Sequence, residues 1–284
     1  MRIVYNPESR THREAPGENN SLKEDNMELG LQGKIAMVTG TGSQVGFGRG
    51  IALYLAKEGC DIISIDMDIE GARKTAEEVK KIGRRAIAVK VDITNRSEID
   101  NAVKTALAEF GRIDILINCA GRATGVQPFT STSPEQWDID IDTNLKGTMS
   151  FTHAVLPHML ERKYGKIVNF STHAANQPTG LAGAGPYVAA KAGVTMFSKT
   201  LAGEVGPQGI NINVIAPGPG NTNFHRSSAA PEMAQLVENL AKIGKAVTPE
   251  DIACVAAFLV SDIASKLSGQ VIEVSAPLGR SDRR

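Results

Sequence analysis

The sequence from residue 35 to residue 48 reads IAMVTGTGSQVGFG. Its first four residues form an apolar run that predicts a buried strand, and the residues after Gly48 carry the apolar spacing of a helix. The glycines between them permit positive φ and close backbone approach, and the free N–H groups at the start of a helix attract a pyrophosphate. This order of elements predicts a dinucleotide-binding site. The candidate cofactor contacts in the stretch are Gly40, Gly42, Ser43, Gly46, Phe47 and Gly48.

Beyond this stretch, short apolar runs alternate with longer amphipathic segments. Continuous apolar strands separated by helical patterns are typical of a parallel sheet with helices on both faces. We therefore predict an α/β fold, namely a single-domain, Rossmann-like, doubly wound parallel sheet of about seven strands. The predicted strands are Ile35–Val38, Ile62–Ile65, Ala86–Val91, Ile113–Ile117, Ile167–Phe170, Ile212–Ile215 and Val271–Val274. The predicted helices lie near Gly48–Glu58, Glu70–Ile82, Ser97–Phe110, Pro134–Arg162, Pro186–Val205 and Pro249–Val260.

Composition narrows the class of protein. The 284 residues include 42% hydrophobic and 22% charged residues, which is ordinary globular usage. Lys+Arg and Asp+Glu both number 31, so a net charge of zero predicts no nucleic-acid partner and no attraction to an anionic membrane. No apolar run approaches the roughly 20 residues that a transmembrane helix needs.

The chain divides into a polar end and one large unit. Residues 1–28 lack apolar periodicity and predict a disordered extension, while residues 29–284 form the predicted catalytic domain. Within that domain, residues 223–245 are too long for a simple turn and predict a lid over the site.

The cysteines bear on the compartment. Cys60, Cys119 and Cys254 are odd in number, widely separated and set among apolar neighbours. This pattern predicts buried reduced thiols rather than a zinc site or a disulfide framework, and no metal is expected. With no signal-peptide core at the N-terminus, we predict a cytoplasmic protein.

An acidic side chain stands where an adenosine ribose is expected. Asp66 ends the second predicted strand about 20 residues after the glycines. A carboxylate there accepts hydrogen bonds from both ribose hydroxyls and repels a 2′-phosphate, which favours NAD over NADP. Two alternatives stay open: Asp66 and Asp68 as solvated turn residues, or Arg49 as the partner of a 2′-phosphate.

Several further segments follow in an order known from one family. They are Asp92-Ile93-Thr94, Asn118-Cys119-Ala120-Gly121, Asn144, Tyr187-Val188-Ala189-Ala190-Lys191 and Pro217-Gly218-Pro219-Gly220-Asn221-Thr222. With the glycine stretch, they make the chain resemble the short-chain dehydrogenase/reductase family from about Leu31 to Val274. The resemblance implies hydride transfer between a nicotinamide dinucleotide and an alcohol or ketone. The candidate cofactor contacts beyond the glycine stretch are Asp66, Met67, Asp92, Ile93, Asn118, Ala120, Gly121, Tyr187, Lys191, Pro217, Gly218 and Thr222.

The chemistry also follows from the residues themselves. Hydride transfer to or from a carbinol carbon needs a group that moves the hydroxyl proton, and a free Tyr with a pKa of about 10 is a poor base near neutrality. Tyr187 and Lys191 are four residues apart on a predicted helix, so the ammonium can lower the pKa of the phenol. We predict Tyr187 as the acid/base, the alternative being a surface pair. The resemblance implies that Lys191 also binds the nicotinamide ribose and that Asn144 holds a water in a proton relay.

A hydroxyl that binds the substrate oxygen is normally a Ser after the fifth strand in this family, and here the sequence departs from the pattern. Strand alternation places Thr172 at this position, with Ser171 as the alternative. The interval from Thr172 to Tyr187 and the glycine loop are each about two residues longer than the family pattern. These insertions fall beside the predicted site.

Candidate substrate contacts lie in loops after the strands. Arg122, His225 and Arg226 would form a basic mouth for a carboxylate, phosphate or coenzyme A thioester, or they are ordinary solvated charges. Phe224 is a further candidate substrate contact. His173 is either a second proton carrier or a packing residue.

We therefore predict an NAD(H)-dependent oxidoreductase that interconverts a secondary alcohol and a ketone, with a 3-hydroxyacyl or 3-oxoacyl thioester as one candidate substrate. The alternative is a dinucleotide-binding sensor or regulatory protein with little turnover, suggested by the unusual Thr172 region. The resemblance implies a homotetramer or homodimer. The apolar faces of Phe151–Leu160 and Val194–Leu201 would either form its interface or pack on the sheet.

Overall fold

Seven parallel strands pair in one sheet in the computed structural model, which describes residues 28–124, 128–176, 184–220, 222 and 246–275. Their order across the sheet is β3-β2-β1-β4-β5-β6-β7. Chain order reverses between β1 and β4, which opens a crevice at the carboxyl ends of these two strands. The strands are β1 Ile35–Thr39, β2 Asp61–Asp66, β3 Ala86–Lys90, β4 Ile115–Asn118, β5 Gly165–Phe170, β6 Ile210–Pro217 and β7 Val271–Val274.

Helices cover both faces of this sheet. They are α1 Phe47–Lys57, α2 Ile69–Lys81, α3 Arg96–Phe110, α4 Pro134–Ile141, α5 Gly147–Arg162, α6 Gly185–Val205 and α7 Pro249–Val260. Side chains alternate across β1: Ala36 and Val38 pack with α1 and α7, whereas Ile35 and Met37 pack with α3, α5 and α6. The doubly wound α/β prediction is confirmed.

Some local predictions need correction. The segment predicted as one helix over Pro134–Arg162 is two α-helices joined by a π-helical turn, Asp142–Lys146. The helix predicted near Ser97–Phe110 begins one residue earlier, at Arg96, and its cap is Asn95, whose side chain accepts the N–H groups of Ser97 and Glu98. Cys60 is buried as predicted, but Cys254 is exposed.

Within the described residues, no helix is long and apolar enough to cross a membrane. The predicted extension before residue 28 and the predicted lid at 223–245, including Phe224, His225 and Arg226, lie outside the described residues.

Candidate active site

The glycine turn after β1 is built for close backbone packing. Gly40 has φ +79°, and a Cβ placed on it would lie 2.9 Å from the backbone of Ala120. The hydroxyl of Thr39 accepts the N–H groups of Cys119 and Ala120, each at 3.0 Å. The turn after β1 is therefore fixed against the turn after β4, at the point where the crevice opens.

The N-terminus of α1 retains the capacity to bind an anion. Its N-cap residue, Gly46, supplies no side-chain cap, and the first turn contains no acidic residue. Beside it, the Ser43 hydroxyl oxygen is buried and finds no partner among the described residues. Free helical N–H groups and an unpartnered hydroxyl suit a pyrophosphate, so these residues fit a dinucleotide.

Asp66 stands at the end of β2 over this turn. Its carboxylate accepts the N–H of Gly42 at 2.7 Å and that of Asp68 at 2.9 Å. Asp68 in turn caps α2, and Met67, which lies between Asp66 and Asp68, is 64% exposed. Arg49 is directed elsewhere, since its guanidinium pairs with Glu78 on α2.

The turn after β4 brings a second group of candidates to the crevice. The Asn118 side chain is buried and donates to Asn169 at 2.8 Å and to Thr152 at 3.1 Å, so it joins β4 to β5 and α5. Only the backbone of Asn118 is therefore left to meet a cofactor. A Cβ on Gly121 would lie 2.8 Å from Asn144 Oδ1 and 3.3 Å from Lys191 Nζ, so only glycine fits here.

Asp92 and Ile93 follow β3 at the same edge. The Asp92 carboxylate accepts both the N–H and the hydroxyl of Thr94, which shapes this turn. Ile93 packs against Gly147 at the start of α5.

Tyr187 and Thr172 meet at the carboxyl end of β5. The Thr172 side chain hydrogen-bonds that of Tyr187, which is the third residue of α6. Ser171 points the other way: its hydroxyl donates to the carbonyl of Lys191 and accepts from Thr195, both at 2.9 Å. Strand alternation therefore places Thr172 in the site and Ser171 in the core.

Lys191 lies one helical turn below Tyr187. Its ammonium donates to the carbonyl of Phe170 at 2.9 Å and stands 5.9 Å from the centre of the Tyr187 ring. Burial lowers the pKa of Lys191 to about 8, so the side chain is still mostly charged at pH 7.

The pKa of Tyr187 is raised rather than lowered. Burial is the main cause, the charge of Asp140 acts in the same direction, and the hydrogen bond from Thr172 opposes them. The expectation of a lowered pKa is therefore not met by the residues of this chain, because burial and the charge of Asp140 outweigh the hydrogen bond from Thr172. The resting form of Tyr187 is the neutral phenol.

Asn144 sits in the π-helical turn, where its side chain has three backbone partners. It accepts the N–H of Arg122 at 3.2 Å and donates to the carbonyls of Arg122 at 2.6 Å and Asp140 at 2.8 Å. Its own carbonyl accepts the Thr148 hydroxyl at 2.9 Å. Asn144 thus anchors the loop after β4, and π-helical turns often occur at functional sites.

The remaining candidates surround this centre. Arg122 is exposed, and His173 begins a short 3₁₀ turn. Burial lowers the pKa of His173 and the charge of Glu273 acts to raise it. Pro217 ends β6, the N–H of Gly218 donates to Val274 at 2.8 Å, and Thr222 is buried.

Asp140 is a site residue that sequence reasoning missed. It is 2% exposed and accepts both the N–H and the hydroxyl of Thr124, at 3.0 and 3.1 Å. The available signal was its spacing, four residues before Asn144, which puts both polar side chains on one helical face.

Comparison with known proteins gives consistent matches over most of the chain. A family model described as enoyl-(acyl carrier protein) reductase matches residues 40–276. The (2S)-[(R)-hydroxy(phenyl)methyl]succinyl-CoA dehydrogenase subunit BbsD of Thauera aromatica is 38% identical over 248 residues, covering 87% of this chain and 96% of that protein. The 3-oxoacyl-[acyl-carrier-protein] reductase FabG of Thermotoga maritima is 33% identical over 249 residues, covering 87% and 98%.

Solved structures match at a similar level. A 7α-hydroxysteroid dehydrogenase complexed with NADH and 7-oxo glycochenodeoxycholic acid superposes with a TM-score of 0.82 at 30% identity, covering 88% of this chain and 96% of that one. A 3-ketoacyl-(acyl-carrier-protein) reductase from Brucella melitensis complexed with NADH gives a TM-score of 0.79 at 32% identity, covering 86% and 97%.

Proposed function

The chain belongs to the short-chain dehydrogenase/reductase family, and from this premise we propose that it is an NAD(H)-dependent oxidoreductase that interconverts a secondary alcohol and a ketone. The observation that carries the proposal is the hydrogen bond between the side chains of Thr172 and Tyr187. It lies at the same edge of the sheet as the glycine turn with its unpartnered Ser43 hydroxyl. The relatives named above are dehydrogenases and reductases of hydroxyl or keto groups.

In this proposal, the bound nicotinamide supplies or accepts the hydride. Tyr187 gives its hydroxyl proton to the ketone oxygen during reduction and takes it back during oxidation. The Thr172 hydroxyl holds the substrate oxygen beside Tyr187, since a hydroxyl both donates and accepts. Lys191 places a positive charge under the Tyr187 ring, which stabilises the phenolate that reduction leaves behind.

We propose NAD rather than NADP as the cofactor. The Asp66 carboxylate is held in place by the N–H groups of Gly42 and Asp68, where it would bind the ribose hydroxyls. Arg49 is already paired with Glu78 and so is not free to neutralise a 2′-phosphate. The dissociation constants of NADH and NADPH, measured by fluorescence titration, test this choice. Tighter binding of NADPH would refute it, and Asp66→Asn should narrow the preference for NADH.

The activity itself is tested by following nicotinamide absorbance over a panel of alcohols and ketones. Because three of the four proteins named above act on acyl thioesters by name and the fourth on a steroid, the panel starts with 3-oxoacyl thioesters, cyclic ketones and hydroxysteroids. Tight NADH binding without turnover on the whole panel would favour the sensor alternative. The pairing of Thr172 with Tyr187 and the charged Lys191 beside them argue against that alternative.

The roles of Thr172 and Ser171 separate in a matched pair of variants. Thr172→Ser should retain activity, whereas Thr172→Ala should lower kcat by about a hundredfold, as expected for loss of a group that binds the reacting oxygen. Ser171→Ala should leave kcat unchanged and lower stability by about 1 kcal/mol, since its two hydrogen bonds lie in the core. The reverse pattern would assign the catalytic hydroxyl to Ser171.

We also propose a homotetramer or homodimer located in the cytoplasm. Phe151 packs against the sheet, but Met149 on α5 and Met196 on α6 are 42% and 61% exposed, which leaves apolar surface for a partner copy. Light scattering on the purified protein tests the assembly, and a monomer would contradict it. Fractionation of expressing cells tests the location.

A further inference from the structure

Asp140 is a buried carboxylate to which the catalytic scheme above assigns no part. It lies in the last turn of α4, which packs against α6, the helix that carries Tyr187 and Lys191. Both of its oxygens are engaged by Thr124, one by the N–H and one by the hydroxyl. An unpaired carboxylate at this depth is strongly disfavoured, so the two donors from Thr124 compensate for the burial of Asp140.

The side chains of Asp140 and Asn144 hydrogen-bond to residues 124 and 122, and we call these contacts the double clamp. Asn144 holds both backbone polar groups of Arg122, and Asp140 holds Thr124. The two clamping residues are four apart across the start of the π-helical turn. The loop after β4, which borders the site, is thereby fixed from one side.

The titratable and polar groups that face Tyr187 come from four elements or turns. Lys191 lies on its own helix, Asp140 on α4, the Cys119 thiol after β4 and the Thr172 hydroxyl after β5. Burial raises the pKa of Cys119 to about 12, so this thiol is neutral at pH 7. Burial raises the pKa of Asp140, whereas the hydrogen bonds from Thr124 and the charge of Arg122 act to lower it. In its ionised form, Asp140 is the negative charge that opposes Lys191 at the phenol.

We propose that Asp140 is a positioning residue that clamps the loop after β4 through Thr124 and places a carboxylate where α4 packs against α6, the helix that carries Tyr187. The inference rests on the proposed function in that Tyr187 acts as the acid/base. Its consequence concerns the pH profile: a negative charge near Tyr187 raises the pKa of the phenol, which extends ketone reduction to higher pH and delays alcohol oxidation until higher pH.

Asp140→Asn removes the charge and can keep the clamp, because the amide oxygen accepts the Thr124 N–H and the amide nitrogen donates to its hydroxyl. In this variant the acid limb of kcat/KM for alcohol oxidation should move down by about one pH unit. The upper limb for ketone reduction should move down equally. Asp138→Asn is the matched control, since Asp138 is exposed on the same helix and its loss should shift neither limb.

Thr124→Val separates the clamp from the charge. It removes one hydrogen bond to Asp140 and leaves the carboxylate, so we expect a higher KM with the pH limbs unchanged. Unchanged limbs in Asp140→Asn would overturn the electrostatic part of the inference. An unchanged KM and unchanged amide exchange at Thr124 in both Thr124→Val and Asp140→Ala would overturn the clamp.

A second readout does not need turnover. In protein labelled with fluorotyrosine, the Tyr187 resonance, assigned by its loss in Tyr187→Phe, is followed by fluorine NMR as the pH is raised. We expect a titration midpoint lower by about one unit in Asp140→Asn than in the parent. That shift in a protein without activity would support the inference while the proposed function failed, and equal midpoints would refute it.

Discussion

Buried polar groups differ between the two ends of the sheet: they are paired at the amino end, and some have spare hydrogen-bonding capacity at the carboxyl end. At the amino end, Asp114 accepts the N–H of Ile35 at 2.9 Å and pairs with Arg112 and Arg162. Nearby, the buried Lys166 donates to Asn211 at 2.7 Å. At the carboxyl end, the Ser43 hydroxyl is unpartnered among the described residues and α1 lacks a side-chain cap. Paired charges hold the fold together, whereas polar groups with spare capacity are available to a ligand.

The sharpest test of this contrast uses two tyrosines. Tyr187→Phe should lower kcat by about a thousandfold with little change in stability, because it removes the proton donor. Tyr164→Phe, at the amino end, removes a hydroxyl that donates to Asp262 at 2.9 Å. It should leave kcat unchanged and lower stability by about 1 kcal/mol. Steady-state kinetics and urea unfolding measure both, and full activity in Tyr187→Phe would refute the assigned acid/base.

Two aspartates extend the comparison to stability. Asp114→Asn leaves two arginines without their buried partner and should lower the free energy of unfolding by about 3 kcal/mol. Asp66→Asn, at the other end, should lower it by less than about 1 kcal/mol. Denaturant unfolding at pH 7 measures the difference. Equal losses would mean that the carboxyl end is as important for stability as the amino end.

Lys191 adds a pH dependence to the comparison. Its pKa is about 8 in the folded chain and about 10.4 when unfolded, so between these values the unfolded state binds more protons and stability rises with pH. Lys191→Met removes this term. We therefore expect the Tm of Lys191→Met minus that of the parent to be highest near pH 7 and to fall toward pH 10.5. Lys199→Met, at an exposed position of the same helix, should show no such trend.

The smallest effect is expected for the unpartnered hydroxyl. Ser43→Ala should leave stability unchanged and weaken NADH binding about three- to tenfold, the value of one hydrogen bond. Ser64→Ala is the control, since Ser64 is buried and bonded to Thr41 at 2.7 Å and to Ala72 at 3.0 Å. It should lower stability by about 1 kcal/mol without changing NADH binding. Calorimetric titration and thermal unfolding check the pair.

Periodicity was sufficient to predict the sheet, because each buried parallel strand is a continuous apolar run bounded by turns. The π-helical turn escaped prediction because apolar spacing over a single turn does not distinguish i→i+5 from i→i+4 hydrogen bonding. The exposure of Cys254 was also missed, since apolar neighbours in sequence need not surround a side chain on a helix.

Some contacts of the site could be predicted from the sequence and others could not. Strand alternation was enough to place Thr172 toward Tyr187 and Ser171 toward the core. The hydrogen bonds between Asp140 and Thr124 could not be predicted from the sequence. They join residues 16 apart through a loop that has no periodic pattern. The same holds for the pairing of Arg49 with Glu78, which requires knowing how α1 packs on α2.

The Asp66 carboxylate occupies the space that a side chain at position 42 would need. This links the two positions in any change of cofactor preference. A Cβ on Gly42 would lie 2.7 Å from Asp66 Cγ, so a side chain at position 42 requires the carboxylate to move. A basic residue at position 42 would therefore displace Asp66 from its hydrogen bond with the Gly42 N–H, and it is accommodated more easily after Asp66 is lost. The two positions are coupled, and the proposed preference for NAD would be protected by sterics as well as by charge.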